Sequence, residues 1–429
     1  MNNALNRRQF LKQTSATTAS LAALGSFNIL RAGESPNNKL VVAVMGCNAR
    51  GMVHIETWLE VPNVEIACIC DVDSRALTKG VEAVAKKQQR KPKGEKDIRR
   101  VLEEKDVDIV SIATPNHWHA PATILACNAG KHVYVEKPGS HNPHESQLMV
   151  AAARKNKRLV QMGNQRRSWP WIIEAMRRLH AGEIGKVFHA RTWYHASRGS
   201  IGRGKPAPVP AWLDYDLWQG PAPERPFLDN VVHYKWHWRW HWGNGEIGNN
   251  GIHFLDLARW GLQVDQPRRI TCGGNRYCFQ DDQETPDTCT LTVDYGDKGL
   301  VWEGHSCFPR RAEGGKTGVI FYGDKGTLVI ADYKCLLYDP DEKVIADLSG
   351  PPDVILHFRN LADAIRDGKK LYAEIEEGQQ ATMLCHLANI AWRTGHTINF
   401  NPQERKITGD EAASALWKRE YRMGWEPRV

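Results

Sequence analysis

The chain has 429 residues, of which 41% are hydrophobic and 25% are charged, and its formal net charge is +8. This length suits two globular domains, and the composition is not that of a disordered or repetitive protein. The 16 tryptophans are spread among histidines and glycines without a long basic face, so we expect no nucleic-acid partner.

The amino-terminal residues 1–33 contain Arg7, Arg8, Lys12 and Arg31 and no acidic residue. The paired arginines precede Phe-Leu-Lys and a weakly apolar run rich in Ser, Thr and Ala, which is typical of a twin-arginine export signal. An amphipathic surface helix is the alternative. We predict a signal peptide over 1–33, a periplasmic or otherwise exported mature protein, and no transmembrane span, because the run is short and polar.

A glycine turn opens the predicted NAD-binding domain, residues 38–162. The apolar run Leu-Val-Val-Ala-Val-Met predicts a buried strand that ends at Gly46, and a helical pattern resumes at Gly51. Glycines let a pyrophosphate approach the free N–H groups of a helix start, although Asn48 replaces the middle glycine of the G-x-G-x-x-G pattern. We expect cofactor contacts from Gly46, Asn48, Arg50 and Gly51.

An acidic residue ends the second predicted strand, residues 64–70, at Asp71. A carboxylate at this spacing accepts hydrogen bonds from ribose hydroxyls and repels a 2′-phosphate. We therefore predict NAD, with NADP less favoured. A βαβ unit that binds no nucleotide is the alternative for the turn and the acid together.

Polar residues also follow two later predicted strands. Strand 107–113 ends at Thr-Pro-Asn-His-Trp-His, residues 114–119, and strand 131–135 ends at Glu-Lys-Pro, residues 136–138. Residues 114–119 are expected to form a loop before a helix that starts at 120. Ligands of doubly wound sheets bind beyond the carboxyl ends of the strands, so both segments are expected to line the cofactor cleft. The residues expected at the cofactor are Thr114, Asn116, His119 and Glu136.

Lys137 is the candidate catalytic base. A lysine beside such a cleft is partly desolvated and near the positive nicotinamide, and both effects lower its pKa toward working pH. Lys137 would then take a hydroxyl proton as hydride leaves the same carbon. A plain surface charge pair with Glu136 is the alternative.

Four motifs, taken in chain order, resemble the glucose–fructose oxidoreductase/inositol dehydrogenase/rhizopine-catabolism (Gfo/Idh/MocA) superfamily. They are the glycine turn, the acid, Thr-Pro-Asn-His-Trp-His and Glu-Lys-Pro, and the resemblance covers roughly residues 39–400. The resemblance implies that Gln165 lies near the nicotinamide. It also implies that His253 is a catalytic or hydroxyl-binding residue.

One departure from the family pattern concerns the substrate. The family sequence Asp-x-Gly-x-His is Asn-Asn-Gly-Ile-His here, with Asn249 in place of the aspartate. Asparagine can hydrogen-bond a hydroxyl but cannot accept its proton. We therefore favour Lys137 as the base and expect Lys137, Asn249 and His253 to bind substrate. Asp256, three residues after His253, would orient it or make a core hydrogen bond.

The fold class expected is α/β, with a Rossmann doubly wound parallel sheet followed by an α+β domain. Alternating apolar positions between residues 186 and 331 predict an open, mostly antiparallel sheet in the second domain. We assign substrate binding and oligomerisation to residues 163–400 and a carboxyl-terminal arm to 401–429, and we expect a helix over 410–421 in this arm. A homo-oligomer is expected by family analogy.

Residues 236–242 carry tryptophan at every second position. They lie in an expected irregular stretch, 197–243, and their alternation places the tryptophans on one face and His237, Arg239 and His241 on the other. One interpretation is that the tryptophans pack in the core. The other is that one of their rings, with Trp240 as the candidate, stacks on a sugar.

The cysteines and histidines predict no metal site, because the cysteines lack metal-ligand spacing and His253 lacks suitable partners. Most of the ten cysteines are expected to be buried, and a Cys272–Cys278 or Cys278–Cys289 bridge is left open.

The sequence thus predicts an exported NAD-dependent oxidoreductase that acts on a carbinol of a sugar or sugar derivative. A second hypothesis is an NAD-dependent glycoside hydrolase or lyase without net redox change, because an exported enzyme has no NAD pool and must hold its cofactor tightly. A third is a non-enzymatic sugar- or cofactor-binding protein, supported only by Asn48 and Asn249.

Overall fold

Two β-sheets with helices packed on them make up the computed structural model, which describes residues 39–429. The predicted signal peptide lies outside the described residues. Residues 40–429 form one unit, and the predicted boundaries at 162 and 400 stay predictions. Within 39–429, no helix is long and apolar enough to cross a bilayer.

The amino-terminal sheet has six parallel strands in the order β3-β2-β1-β4-β5-β6. The strands are β1 Leu40–Met45, β2 Val64–Cys70, β3 Lys93–Glu95, β4 Ile109–Ile112, β5 His132–Val135 and β6 Val160–Met162. The helices between and after them are α1 Arg50–Trp58, α2 Ser74–Ala85, α3 Ile98–Val101, α4 Asn116–Asn128 and α5 Pro143–Lys155. The predicted doubly wound sheet is confirmed, and its strand order reverses between β1 and β4, where such folds bind ligands.

The carboxyl-terminal sheet has ten strands in the order β14-β13-β12-β11-β7-β10-β9-β8-β15-β16. They are β7 Val187–His195, β8 Arg269–Asn275, β9 Thr288–Asp294, β10 Gly299–His305, β11 Thr317–Gly323, β12 Gly326–Ala331, β13 Lys334–Tyr338, β14 Val344–Asp347, β15 Ile398–Asn401 and β16 Lys406–Ile407. The pair β7–β10 is parallel and the other described pairs are antiparallel, which confirms the open, mostly antiparallel sheet.

Helices cover one face of this sheet. The helices of this half of the chain are α6 Pro170–His180, α7 Tyr215–Gln219, α8 Ile252–Leu262, α9 Ile355–Asp367, α10 Ile375–Thr394 and α11 Glu411–Ala415. Of these, α8 and α10 pack directly on the strands, whereas α9 packs on α1 of the amino-terminal domain. The alternating residues of β7 explain the two faces: Ala190 joins the main core, whereas Trp193 joins a small apolar cluster on the opposite face.

Two segments differ from the sequence-based expectation. Residues Asn116 to His119 form the first turn of α4 and not a loop, because Pro115, whose fixed φ suits a helix start, immediately precedes it. The tryptophan-rich segment is a 3-10 turn, Lys235–Trp238, followed by further turns, so the expected irregular stretch is confirmed and the two separate faces are wrong. Arg239 is as buried as the tryptophans around it.

The carboxyl-terminal arm packs on the amino-terminal domain of its own chain. The backbone N–H of His144 donates to the carbonyl of Trp417, and the Tyr421 hydroxyl donates to buried Glu145 at 2.9 Å. Trp425 contacts Trp118 edge to face. The predicted long terminal helix is wrong, since only the five residues of α11 are helical there.

Candidate active site

A cleft of about 410 Å³ lies at the carboxyl ends of β1, β2, β4 and β5. Residues from both halves of the chain line it. The predicted site residues among them are Gly46, Asn48, Arg50, Asp71, Thr114, Asn116, His119, Glu136, Lys137, Gln165, Asn249 and His253. Gly51 lies in the turn directly behind the lining residues. Trp240 is the one predicted site residue that the structure places away from the cleft.

The glycine turn is shaped by two close backbone approaches. Gly46 has a φ of +82°, and a Cβ there would lie 2.9 Å from the carbonyl of Ala113. A Cβ on Gly51 would lie 1.7 Å from the carbonyl oxygen of Gly46. Ala49, and not Asn48, takes the remaining positive φ, so position 48 does not require glycine. The turn leaves the start of α1 open to an anion such as a pyrophosphate.

Asp71 links the turn to the end of β2. Its carboxylate accepts hydrogen bonds from the backbone N–H groups of Cys47, at 2.5 Å, and Asp73, at 2.8 Å. Burial raises its pKa, and these N–H groups oppose that rise. Asp71 therefore fixes the turn and faces the cleft at once, and its contact with a ribose stays a prediction.

Glu136 is the centre of a buried hydrogen-bond network. It accepts from Arg50 Nε at 2.7 Å, from Gln165 Nε2 at 2.9 Å and from His54 Nε2 at 3.2 Å. Burial alone would raise the pKa of Glu136, but Arg50 and His54 together hold it well below its usual value. The ionised carboxylate thus fixes Arg50 and Gln165 in the cofactor wall.

Lys137 reaches across the cleft from the end of β5. Its Nζ donates to the backbone carbonyl of Asn249 at 2.7 Å and approaches the Asn249 Oδ1 at 3.4 Å. Asn249 lies in a π-helical turn, Ile247–Gly251, a distortion that is frequent at functional sites. Burial lowers the pKa of Lys137, although Glu136 opposes the change. A lysine with a lowered pKa is suited to accept a proton.

The asparagine at position 249 fits its neighbours. Its Nδ2 approaches Glu246 Oε1 at 3.4 Å, and Glu246 is also bound by Asn250 and by Arg198, whose Nε lies 2.5 Å from its carboxylate. An aspartate at position 249 would set a second carboxylate against buried Glu246, which is unfavourable. Sequence reasoning missed Glu246 and Arg198, since neither lies in a recognisable motif.

His253 faces the cleft as a neutral imidazole. Burial, followed by the charge of Lys137, lowers its pKa well below the usual value, and no described residue hydrogen-bonds its buried Nδ1. Asp256 does not orient it. Both Asp256 oxygens are bound by Arg167, at 2.7 and 2.8 Å, which confirms the alternative of a core interaction.

Asp256→Asn is therefore expected to act on stability and not on catalysis. The pair is almost fully buried, with side-chain exposures of 6% for Arg167 and 2% for Asp256. Removing the Asp256 charge leaves buried Arg167 only the longer ion pair to Glu377 at 3.6 Å, which should lower the free energy of unfolding by about 3–5 kcal/mol. Denaturant unfolding measures this, with Asp294→Asn, which breaks the exposed ion pair to Arg269, as a control expected to cost under about 1 kcal/mol. If Asp256→Asn instead changed the pH profile of kcat and left stability unchanged, this result would show that Asp256 orients His253.

The segment between β7 and α8 roofs part of the cleft. Trp212 packs under the Arg75 guanidinium, 3.4 Å from the ring centroid, and its carbonyl accepts from the Ser74 N–H. His233 Nε2 contacts the Asp73 carboxylate at 2.9 Å. These contacts join the roof to the residues that follow Asp71, on the side expected to hold adenosine.

Aromatic residues of this roof line the same cleft as Lys137. Trp236 and His237 stack on one another and line the cleft, with Tyr234 beside them. Trp240 instead lines a separate depression with His141 and other residues, so the structure does not bring Trp240 to Lys137.

Two clusters of three side chains with ligand atoms within 4.8 Å of one another occur in residues 39–429 outside the cleft. They are His195, Glu303 and His305, and Cys278, Asp287 and Cys307. The absence of a metal therefore stays a prediction. The ten cysteines all lie within the described residues and none is in a disulfide, so neither bridge left open by the sequence is formed.

This fold and cleft define an NAD-binding oxidoreductase architecture. Residues 40–164 match the family model described as "Oxidoreductase family, NAD-binding Rossmann fold", and residues 186–427 match "Oxidoreductase family, C-terminal alpha/beta domain". The chain belongs to the Gfo/Idh/MocA oxidoreductase family.

Known relatives add the following similarities. The chain is 30% identical over 211 residues to glycosyl hydrolase family 109 protein 1 of Shewanella sp. strain ANA-3, which is 44% of this chain and 46% of the relative. It is 28% identical, over the same shares, to the alpha-N-acetylgalactosaminidase of Shewanella oneidensis. These matches span less than half of each relative.

Solved structures share the fold. The WlbA dehydrogenase of Bordetella pertussis, solved with NADH and UDP-GlcNAcA, superposes with a TM-score of 0.65 at 17% identity, covering 85% of this chain and 99% of that one. At this identity the similarity concerns the fold alone.

Proposed function

We propose that this protein oxidises a secondary alcohol of a sugar or sugar derivative. The observation that carries the proposal is Lys137, a half-buried lysine with a lowered pKa that lines the cleft at the end of β5 together with His253. The cleft suits NAD, because the two glycines leave the start of α1 open and the hydroxyl of Thr114 is buried without a partner among residues 39–429.

The chain's own residues divide the work as follows. The turn at Gly46–Gly51 and Asp71 would bind the cofactor, while Glu136 holds Arg50 and Gln165 in position. NAD, when bound, accepts hydride from the carbinol carbon. Lys137 takes the hydroxyl proton, and neutral His253 and Asn249 hold the sugar hydroxyls. Glu246 with Arg198 keeps the Asn249 amide turned toward Lys137.

The test mixes purified protein and NAD with a panel of free sugars and 4-nitrophenyl glycosides. Net oxidation appears as NADH absorbance, and glycoside cleavage appears as released nitrophenol. The proposal expects at least one of these signals, and it expects the signal to vanish in Lys137→Ala. A signal that persists unchanged in Lys137→Ala would refute Lys137 as the base.

The pH dependence of kcat/KM follows from the same lysine. Only the neutral amine accepts a proton, so activity rises with pH through the Lys137 pKa. Because burial lowers that pKa, the plateau should be reached below the ordinary lysine value of about 10.4. A rate that still climbs steeply above that value would contradict the assignment.

A second candidate is glycoside cleavage without net redox change. The substrate would be oxidised to a ketone, lose its glycosidic substituent, add water and be reduced again. The roof over the cleft supports this reaction, because it would slow the release of the cofactor. A cofactor that stays bound must be regenerated within the catalytic cycle. The similarity to family 109 glycosyl hydrolases supports it as well.

The roof predicts slow cofactor release. Trp212→Ala combined with His233→Ala removes a cation–π contact and a charged hydrogen bond, which should speed NAD release about 30-fold. Stopped-flow displacement of bound NADH measures the rate. Trp240→Ala, which removes a tryptophan outside the cleft, should leave the rate of NADH release unchanged. If the wild type and all variants release NADH at the same rate, the roof does not retain the cofactor.

Export and assembly belong to the same proposal. The paired arginines at positions 7 and 8 support twin-arginine export to the periplasm. Assembly into a homo-oligomer is proposed by family analogy alone. Fractionation of expressing cells and light scattering of the purified protein test the two points.

A further inference from the structure

Two cysteines meet outside the cleft. Cys278 follows β8 and Cys307 follows β10, and their sulfur atoms lie within 4.8 Å of one another. Both residues are half-buried, and each lies in a bend or turn beyond the end of its strand. Their backbones are therefore free of the sheet's hydrogen-bond ladder at this point.

One residue positions both segments. The N–H of Cys278 donates to the Asp287 carboxylate at 3.0 Å, and the N–H of Ser306 donates to the Asp287 carbonyl at 2.8 Å. Asp287 itself is 5% exposed. The approach of the two thiols is thus set by a buried anchor.

The other close pair of cysteines is less suited to a cross-link. Cys272 lies opposite Leu291, and Cys289 lies opposite Gly274, so Cys272 and Cys289 are diagonal neighbours on paired strands. Diagonal residues are typically about 7–8 Å apart, which exceeds the usual Cα separation in a disulfide. The ladder on both strands resists the shift that a bond would need.

We propose that Cys278 and Cys307 form a disulfide when the folded chain meets a disulfide oxidant such as oxidised glutathione. One thiol loses its proton and attacks the oxidant, whose S–S bond breaks and releases one glutathione thiol. The second thiolate then displaces the other glutathione, and the Cys278–Cys307 bond forms. The protein loses two protons and two electrons, and the oxidant becomes two thiols.

The bridge would fasten the wall behind the substrate residues. It closes a loop of about 30 residues that contains β9 and β10, which restricts the unfolded chain. Ser306 precedes Cys307, and its hydroxyl donates to Glu246 at 3.3 Å. The cross-link therefore steadies the strand end that supports Glu246 and, through it, Asn249.

A metal ion is the competing occupant of this cluster. The Asp287 carboxylate already accepts hydrogen bonds from the N–H groups of Tyr277 and Cys278 and from the Thr288 hydroxyl. This leaves two thiols as the readily available ligands, fewer than a structural zinc site uses. A disulfide satisfies both sulfur atoms without further ligands.

The test uses the full chain, reduced, freed of reductant and then incubated with oxidised glutathione at mildly alkaline pH. After denaturation, free thiols are alkylated and the digest is analysed by mass spectrometry without reduction. We expect one cross-linked peptide pair containing Cys278 and Cys307, and a melting temperature about 4 °C above that of the reduced chain. Cys307→Ser should lose both effects, whereas Cys272→Ser should keep them.

Three results would overturn the proposal. The first is full alkylation of Cys278 and Cys307 after exposure to the oxidant. The second is a recovered bridge that joins Cys272 to Cys289. The third is zinc in the purified chain that is lost only in Cys278→Ser and Cys307→Ser. Because wild-type protein supplies the first readout, a variant that fails to fold does not decide the question. The inference is independent of the proposed reaction, so inactivity toward sugars does not affect it.

Discussion

Lys137→Ala is expected to lower kcat roughly a thousandfold while NAD still binds. The Lys137 amine is the one basic side chain that both lines the cleft and contacts Asn249, and a positioned base contributes about 10²–10⁴-fold to a proton transfer. Steady-state kinetics on the substrate found in the sugar panel measures kcat, and NAD titration measures binding.

Lys131→Ala is the matched control for this prediction. Lys131 is buried, precedes the same strand β5, and donates from Nζ to a backbone carbonyl, that of Glu104 at 2.7 Å. It lies at the opposite end of the strand from the cleft. Its loss should affect stability and leave kcat near the wild-type value, and equal losses of kcat in both variants would point to a structural effect.

Gly51→Ala is expected to weaken NAD binding by about 100-fold or more. The added methyl would lie 1.7 Å from the Gly46 carbonyl oxygen, so the turn has to move and the N–H groups at the start of α1 lose their alignment. Isothermal titration with NAD measures the affinity, and circular dichroism checks that the variant is folded.

Gly94→Ala provides the comparison within the same domain. A Cβ at Gly94, in β3, would make only ordinary contacts with Leu77, the nearest at 3.5 Å. NAD affinity should be unchanged there. A folded Gly51→Ala variant that binds NAD as tightly as the wild type would show that this turn does not bind the cofactor.

The strand–turn–helix elements could be predicted because they are local. Strand β2 has the predicted bounds, and Lys137 and His253 were identified from short motifs that the fold brings to one cleft. Hydrophobic periodicity and the end of a predicted strand were sufficient for Lys137, whereas His253 was assigned through the resemblance to the family pattern.

The sequence-based predictions failed where tertiary contacts determine the local structure or the partner of a side chain. Alternating tryptophans at 236–242 indicated two faces, but this segment is folded into turns in which Arg239 is buried as well. Asp256 was one helical turn from His253, yet Arg167, 89 residues away, binds it. Glu246 had no motif, because its importance comes from Arg198 and the π-helical turn around Asn249.

The most direct test of the central claim is to count the nucleotide in the protein. The chain is purified without added nucleotide, incubated with millimolar NAD, washed and denatured, and the released molecules are identified by mass spectrometry. We predict about one NAD or NADH per chain, with NADP taken up far less because of Asp71. A folded chain that contains no nucleotide and takes up none would contradict the account.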